Sequence, residues 1–210
     1  LTIMCIFGLF GNVEAQQTII VGEDGTTQLT NLPIQVSFNY SISQQIYTKA
    51  EMNNTLGNIT AISFQQTNNQ IYTRDLSIYM KNTDKEVFEG NSDLVSMTNA
   101  DLVYKGEITT PGTNQWMDIE LQNVFAYEGS NILLCVVDNT GSWERDDLSF
   151  CGYETESQKR ALNARQDDLP YNISDLGQVK GSLLNRLNKV QFTITSEPGL
   201  VMFSEDSVDL

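Results

Sequence analysis

The chain of 210 residues contains no histidine. Histidine is the side chain most often used for proton transfer near neutral pH and for binding zinc or iron. Its absence excludes Ser-His-Asp hydrolytic triads and histidine-based metal sites. The sequence also has no Gly-rich phosphate loop and no Cys-x-x-Cys pair. We therefore find no catalytic constellation and expect a protein that is not an enzyme.

Basic residues are also scarce, with 12 lysines and arginines against 27 aspartates and glutamates and a net charge of −15. A field of this sign repels the phosphates of nucleic acids and the head groups of anionic lipids. Nucleic acid and membrane surfaces are therefore not expected as partners.

A long apolar run is missing too, because the apolar stretch over residues 1–10 is too short to span a bilayer. It is followed by Val13-Glu14-Ala15, which fits the small-x-small rule for signal peptidase cleavage. We expect residues 1–15 to be a signal peptide that has lost its first residues, and the mature chain to begin at Gln16. Cys5 lacks the residues of a lipobox before it, so we expect secretion or cell-surface display without a lipid anchor or membrane insertion.

Only Cys135 and Cys151 remain in the predicted mature chain. An exported protein lies in a compartment where disulfides persist, so these residues could form a bridge. Cys135, however, lies within an apolar run, where cysteine commonly behaves as a small hydrophobic residue. The sequence leaves both alternatives open.

The most informative segment is the unbroken apolar run Ile132 to Val137, which has turn residues on both sides. This pattern is typical of a strand that is covered on both faces. Elsewhere short segments alternate between apolar and polar residues, as in antiparallel strands with one buried face. The sequence predicts an all-β antiparallel β-sandwich over residues 16–196 whose core includes Val36, Phe38, Tyr40, Ile62, Phe64, Leu76, Ile78, Met80, Leu102, Tyr104, Met117, Ile119, Leu121, Val190, Phe192 and Ile194.

Three other segments depart from this pattern. A single helical turn is expected at residues 47–52, where a polar cap precedes helix formers. Residues 154–184 are polar and predict a long surface excursion with one short strand near residues 161–164. Residues 197–210 predict a linker and the truncated first strand of a following immunoglobulin-like domain.

The loop from Asp138 to Asp147 is the richest in polar groups. Asp138, Asp146 and Asp147 supply the hard oxygen ligands that calcium prefers, and they are the candidate ligands for a structural calcium ion. The same residues, with Asn139, also fit ordinary turn chemistry. No other cofactor is expected.

Two tryptophans are candidate ligand-binding residues, and we group Asn139 with them. Trp143 lies in the same loop and could contact a sugar ring or a partner protein, or could instead plug the end of the sandwich. Trp116 opens a strand on its solvent face and allows the same two interpretations.

Asp118 and Glu120 lie two residues apart on one strand, so both should point to solvent. Paired carboxylates serve glycosidases when they flank a substrate cleft. Nothing in the neighbouring sequence indicates a cleft, so we interpret the pair as solvated surface.

The order of several segments resembles a domain of Bacteroidetes surface proteins that is related to the cleaved-adhesin and galactose-binding-like jelly rolls. The resemblance covers residues 17–195 and rests on residues 39–47, 62–64, 74–80, 115–116 and 125–143. It implies an extracellular jelly-roll module beside immunoglobulin-like or fibronectin-type domains. The Asp-Ala-Asp-Gly style of calcium motif is absent, and no catalytic residue carries over.

From these observations we expect a non-catalytic binding module for glycan or protein within a larger bacterial surface adhesin. Two alternatives stay open: a structural spacer between neighbouring domains, and an accessory domain of a secreted hydrolase. A binding module should expose Trp143, Trp116 or residues 154–184 around a concave patch, whereas a spacer should bury both rings.

Overall fold

The computed structural model describes residues 16–195, which form thirteen β-strands and one short 3₁₀ turn at Asn99–Asp101. The signal peptide predicted for residues 1–15 and the linker and strand predicted for residues 197–210 lie outside this range. The strands are β1 (Gln16–Val21), β2 (Thr27–Leu29), β3 (Tyr40–Tyr47), β4 (Gly57–Gln65), β5 (Thr73–Thr83), β6 (Leu102–Thr109), β7 (Trp116–Tyr127), β8 (Asn131–Asp138), β9 (Phe150–Glu154), β10 (Ala161–Gln166), β11 (Ser182–Leu184), β12 (Arg186–Asn188) and β13 (Val190–Thr195).

These strands form three sheets, and every strand pairing within residues 16–195 is antiparallel. The four-stranded sheet has the order β1-β13-β4-β7, and the six-stranded sheet has the order β11-β10-β3-β8-β5-β6. A small sheet of order β12-β9-β2 completes the set. The predicted all-β antiparallel sandwich is therefore confirmed, whereas its jelly-roll topology stays a prediction.

An inner core lies between the two large sheets. Alternate side chains of β4, β7 and β13 point into it from the four-stranded sheet, and alternate side chains of β5 and β8 point into it from the other. This arrangement follows from the period of two along a strand. Its members include the predicted core residues Ile62, Phe64, Leu76, Ile78, Met80, Met117, Ile119, Val190, Phe192 and Ile194.

Strand β8 is buried on both faces, as its apolar run predicts. Ile132, Leu134 and Val136 belong to the inner core, whereas Leu133, Cys135 and Val137 belong to a second, outer core. All six side chains are at most 1 % exposed. The sequence did not show what covers the outer face: it is covered by two loops and not by another sheet.

These loops, residues 84–98 and 167–181, are joined to the six-stranded sheet and to each other by hydrogen bonds. The side-chain amide of Gln44 in β3 donates to the carbonyl of Val95 at 2.6 Å and accepts from its N–H at 2.8 Å. The N–H of Met97 donates to the carbonyl of Ile173 at 2.7 Å. Phe88, Leu94 and Leu176 then bury their side chains on the sheet.

Both cysteines in the described range are free and buried, so the disulfide alternative is wrong. Cys135 packs in the outer core, and desolvation there raises the pKa of its thiol to about 12. Cys151 lies in β9, where its Sγ is 3.0 Å from the carbonyl oxygen of Gly25. Each behaves as the small hydrophobic residue of the other alternative.

Several local predictions need correction. Residues 35–39 precede β3 and are not part of a strand; Phe38 is only half-buried, with the Arg165 guanidinium 4.9 Å from its ring centroid. In β6 Val103 is the buried residue, and its neighbours Leu102 and Tyr104 are half-buried. The reason is a bulge in β6: Ile78 and Tyr79 of β5 pair with Tyr104 and Leu102, so Val103 is the extra residue. The strand expected near residues 161–164 is confirmed as β10.

The predicted helical turn at residues 47–52 is instead a series of hydrogen-bonded turns. Its Glu51 forms a partly buried ion pair with Arg160. The Glu51 carboxylate accepts from the Thr48 N–H at 2.8 Å. It also accepts two bonds from the Arg160 guanidinium, at 2.6 and 2.7 Å, and one from the Tyr153 hydroxyl at 2.8 Å. These bonds join the β3–β4 connection to β9 and to the start of β10.

This cluster predicts a specific dependence of stability on pH. Burial alone would raise the pKa of Glu51, but the bonds from Arg160, Thr48 and Tyr153 outweigh it, so the pKa is lowered from its ordinary value of 4.5. A carboxyl with a lowered pKa stabilises the folded state above its unfolded pKa and loses that contribution as pH falls through its folded pKa.

We therefore expect Glu51→Gln to flatten the acid side of the stability curve. Urea unfolding between about pH 6 and about pH 3 should show a smaller loss of stability in the variant than in the wild type. If the two curves run parallel over this interval, Glu51 does not contribute as described.

Candidate functional site

The outer face of the four-stranded sheet is the one face of the two large sheets that no described segment covers. Met117 and Ile119 of β7 point into the inner core, so Trp116, Asp118 and Glu120 point outward. The prediction that Asp118 and Glu120 share a solvent face is confirmed. On β4, Ser63 lies between the core residues Ile62 and Phe64 and points the same way.

A β-bulge bends this face. Ile59 and Ala61 of β4 pair with consecutive residues of β13, Ile194 and Thr193, so Thr60 is the extra residue. The register of β4 against β7 shifts at the same place. Bulges bend the strand that carries them and often occur beside binding sites. The bend at Thr60 lies at the edge of a concavity.

The concavity has a volume of about 590 Å³ and extends over all four strands. Cross-strand pairing arranges its side chains in rows: Gln191 of β13 pairs with Ser63 of β4, which pairs with Asp118 of β7. The next row contains Thr193, Ala61 and Glu120. We call this concavity the sheet cleft and define it by Thr60, Ser63, Asp118, Glu120, Gln191 and Thr193.

The polar groups of the sheet cleft are largely free of intramolecular bonds. Thr60 donates a long bond of 3.4 Å to the carbonyl of Thr193. Within residues 16–195, the other five side chains make no hydrogen bond or ion pair. Ser63 is only 3 % exposed, and its hydroxyl lines the cleft without a hydrogen bond inside the described fold. These side chains are therefore available to bond a ligand.

Trp116 lies at one end of this face, about 7 Å along β7 from Asp118. It is half-buried and pairs with Gln65 of β4. The ammonium of Lys189 lies 5.8 Å from the centroid of its ring and donates to the carbonyl of Glu23 at 2.9 Å. The indole is therefore oriented by a cation–π contact next to the cleft.

Sequence reasoning identified Trp116, Asp118 and Glu120 but missed the concavity between them. The sequence around the two carboxylates does not indicate a cleft, yet both carboxylates line one. The cleft arises from the bulge at Thr60 and from residues of other strands, Ser63 and Gln191, which are 55 and 73 residues from Asp118 in the sequence. Neither leaves a mark in the sequence around Asp118.

The loop of residues 138–147 has a different role from the one its composition suggested. The carboxylate of Asp138 is fully buried and accepts from the Arg74 guanidinium of β5 at 2.9 Å. Its other oxygen accepts from the hydroxyl and the N–H of Thr140, at 2.6 and 3.1 Å. Arg74 also donates to the carbonyl of Ser142 at 2.9 Å. Asp138 therefore fixes the loop to the sheet.

Calcium binding by this loop stays a prediction, and the geometry disfavours it. The Asp138 carboxylate is committed to Arg74 and Thr140, and the backbone carbonyls of Asp146 and Asp147 accept from Tyr72 and Asn68. In the part of the chain that the structure describes, no three His, Cys, Asp or Glu side chains are grouped to hold a metal ion.

Trp143 is held outward by this fixed loop and is 61 % exposed, so the interpretation of its ring as a plug is wrong. The N–H of Gly141 and that of Glu144 donate to the carbonyls of Asn39 and Val36 on either side of it. Asn139 is half-buried, and its N–H donates to the carbonyl of Asp75 at 2.8 Å. Trp143 and Asn139 thus belong to the end of the six-stranded sheet, and Trp116 to the other sheet.

Burial of the Arg74–Asp138 pair predicts that similar Asp→Asn substitutions lower the free energy of unfolding by unequal amounts. Asp138→Asn removes the fully buried counter-ion of Arg74 and leaves only the longer pair with Glu144, at 3.5 Å, so it should lower the free energy of unfolding by about 3–5 kcal/mol. Arg74→Met combined with Asp138→Asn should recover part of this loss, because the buried guanidinium is removed together with its partner. Urea unfolding measures all three proteins.

The matched control is Asp93→Asn, which removes the partner of Lys85 from a partly exposed pair. It should cost at most about 1 kcal/mol. Equal costs for the two aspartates would show that burial does not set the strength of the Arg74 pair.

No known protein family, curated protein or solved structure matches this chain. Among residues 16–195, no helix has the length and apolar character needed to cross a membrane. The geometry of the sheet cleft is therefore the basis for a proposed function.

Proposed function

We propose that the protein is a non-catalytic extracellular module that binds a glycan or protein ligand through the sheet cleft. The observation that carries the proposal is the set of polar side chains of the sheet cleft, which, apart from Thr60, make no hydrogen bond within the described part of the fold. In the loop at residues 138–147, by contrast, the side chains of Asp138 and Thr140 bond within the fold.

The wider setting is also a proposal. The resemblance supports a jelly-roll module of a larger bacterial surface adhesin, secreted or displayed at the cell surface, with immunoglobulin-like domains as neighbours in the same chain. The strand order is compatible with it, because the chain crosses between the two large sheets before and after β4 and again before and after β7.

A catalytic role for Asp118 and Glu120 is disfavoured by their placement. Glycosidases need two carboxyl groups that flank the scissile bond from different sides. Here both carboxylates lie on one face of one edge strand, and both are exposed. They can accept hydrogen bonds from a ligand but cannot enclose a reacting bond.

Of the two alternatives, the spacer is disfavoured by what the surface exposes. A spacer needs neither an open cleft of 590 Å³ nor a tryptophan that is 61 % exposed. An accessory domain of a hydrolase would use the same cleft, so it differs from an adhesin module in its neighbouring domains and not in this site.

The proposal is tested by screening the purified module against an array of glycans and extracellular matrix proteins. Trp116→Ala and the double variant Asp118→Asn/Glu120→Gln should weaken each hit by about tenfold or more, since charge-assisted bonds and aromatic contacts are among the strongest in binding sites. Trp143→Ala and Glu107→Gln, an exposed carboxylate of β6, should leave binding unchanged.

Thermal unfolding of each variant should match that of the wild type, so that loss of binding is not loss of fold. Hits that disappear in Trp143→Ala but survive in the cleft variants would move the binding site to the end loop. An array without any hit would favour the spacer.

A further inference from the structure

The geometry points to an uncharged polysaccharide as the ligand class of the sheet cleft. This inference rests on the proposed binding function and narrows its ligand. Three features of the cleft support it: the sign of its charge, the kind of polar groups it presents and the shape of its floor.

The charge of the cleft disfavours acidic ligands. Asp118 and Glu120 contribute two carboxylates, and no lysine or arginine is among the residues that line the cleft. Lys189, beside Trp116, is held over the indole ring and bonded to the Glu23 carbonyl. Uronate, sulfate or phosphate groups would therefore meet like charge without a counter-ion, in a protein whose net charge is −15.

The polar groups of the cleft match a ligand that is rich in hydroxyls. The carboxylates of Asp118 and Glu120 only accept hydrogen bonds, whereas the Gln191 amide and the Ser63 and Thr193 hydroxyls both donate and accept. A sugar hydroxyl also does both, so it can donate to a carboxylate while it accepts from an amide. These residues are cross-strand neighbours in two adjacent rows, so a ligand can contact several of them at once.

The shape of the cleft favours a chain of sugars over a peptide. Its floor is the face of a sheet, lined by polar side chains, and its only apolar members are Ala61 and Leu121. Protein interfaces are anchored by large side chains in well-packed apolar pockets, and the floor lacks such a pocket. Trp116 stands at one end, about 14 Å along β7 from Glu120. This span suits an extended oligosaccharide whose terminal ring packs beside the indole.

The test is affinity gel electrophoresis of the purified module in gels that contain one polysaccharide each. The uncharged probes are mixed-linkage β-glucan, galactomannan and arabinoxylan, and the acidic probes are polygalacturonate and alginate. Mobility is normalised to a gel without polysaccharide, so that changes in protein charge cancel. At least one uncharged probe should retard the wild type, and neither acidic probe should.

The variants show which surface of the protein binds the polysaccharide. Ser63→Ala and Asp118→Asn/Glu120→Gln should each reduce it by about tenfold or more in apparent affinity, whereas Glu107→Gln and Trp143→Ala should not change it. Thermal unfolding checks the fold of each variant. The protein should release no reducing ends from a polysaccharide that retards it.

The inference is overturned if an acidic probe retards the wild type and the cleft variants abolish that effect. It is also overturned if no uncharged probe retards the protein while an array hit from a protein or peptide maps to the cleft. In that case the proposed binding function stands. Absence of binding to every probe and every array member would remove both.

Discussion

Burial of strand β8 on both faces is the constraint on which the rest of the structure depends. A strand with six consecutive apolar side chains needs a cover on each side, and β8 lies at the centre of the six-stranded sheet with β3 and β5 as neighbours. The four-stranded sheet supplies one cover and the loops at residues 84–98 and 167–181 supply the other. At roughly 1.5–3 kcal/mol for each large apolar side chain, the six side chains of this strand together favour the fold by on the order of 10 kcal/mol.

The burial of the six-stranded sheet between the other sheet and the two loops determines where a ligand can bind. Because both faces of its central strands are covered, the outer face of the four-stranded sheet is the broad sheet surface that stays open in the described part of the chain. The bulge at Thr60 makes that surface concave, and cross-strand pairing places Ser63, Asp118 and Gln191 in one row. The same polar residue types carry out two tasks in the protein. Around Asp138 they hold the fold together, and in the sheet cleft they remain available.

Much of the fold could be predicted from the sequence, because hydrophobic burial leaves a local periodic pattern. The six-residue run of β8 and the alternation in β4, β7 and β13 were confirmed. Strand β3 was located incorrectly because it buries polar residues. Gln45, for example, is fully buried, and its amide exchanges two hydrogen bonds of 2.8 Å with Asn188, 143 residues away. Only that distant partner makes the burial favourable, and no local pattern reports it.

The candidate site likewise has features that the sequence predicts and features that it does not. The outward orientation of Trp116, Asp118 and Glu120 was predictable, since it depends only on alternation along β7. The concavity was not, because it depends on neighbouring strands. The loop at residues 138–147 misled for a related reason: its acidic composition suggested calcium, but the buried guanidinium of Arg74 comes from another strand. Composition showed the charge that had to be balanced and not the group that balances it.

The two tryptophans of the chain allow a direct test of where ligand binds. Protein labelled with 5-fluorotryptophan gives one ¹⁹F resonance for Trp116, beside the sheet cleft, and one for Trp143, on the end loop; Trp143→Phe assigns them. Titration with a polysaccharide that retards the protein in gels should shift or broaden the Trp116 resonance and leave the Trp143 resonance unchanged. A shift confined to Trp143 would contradict the account, because it would place the ligand at the end of the sandwich.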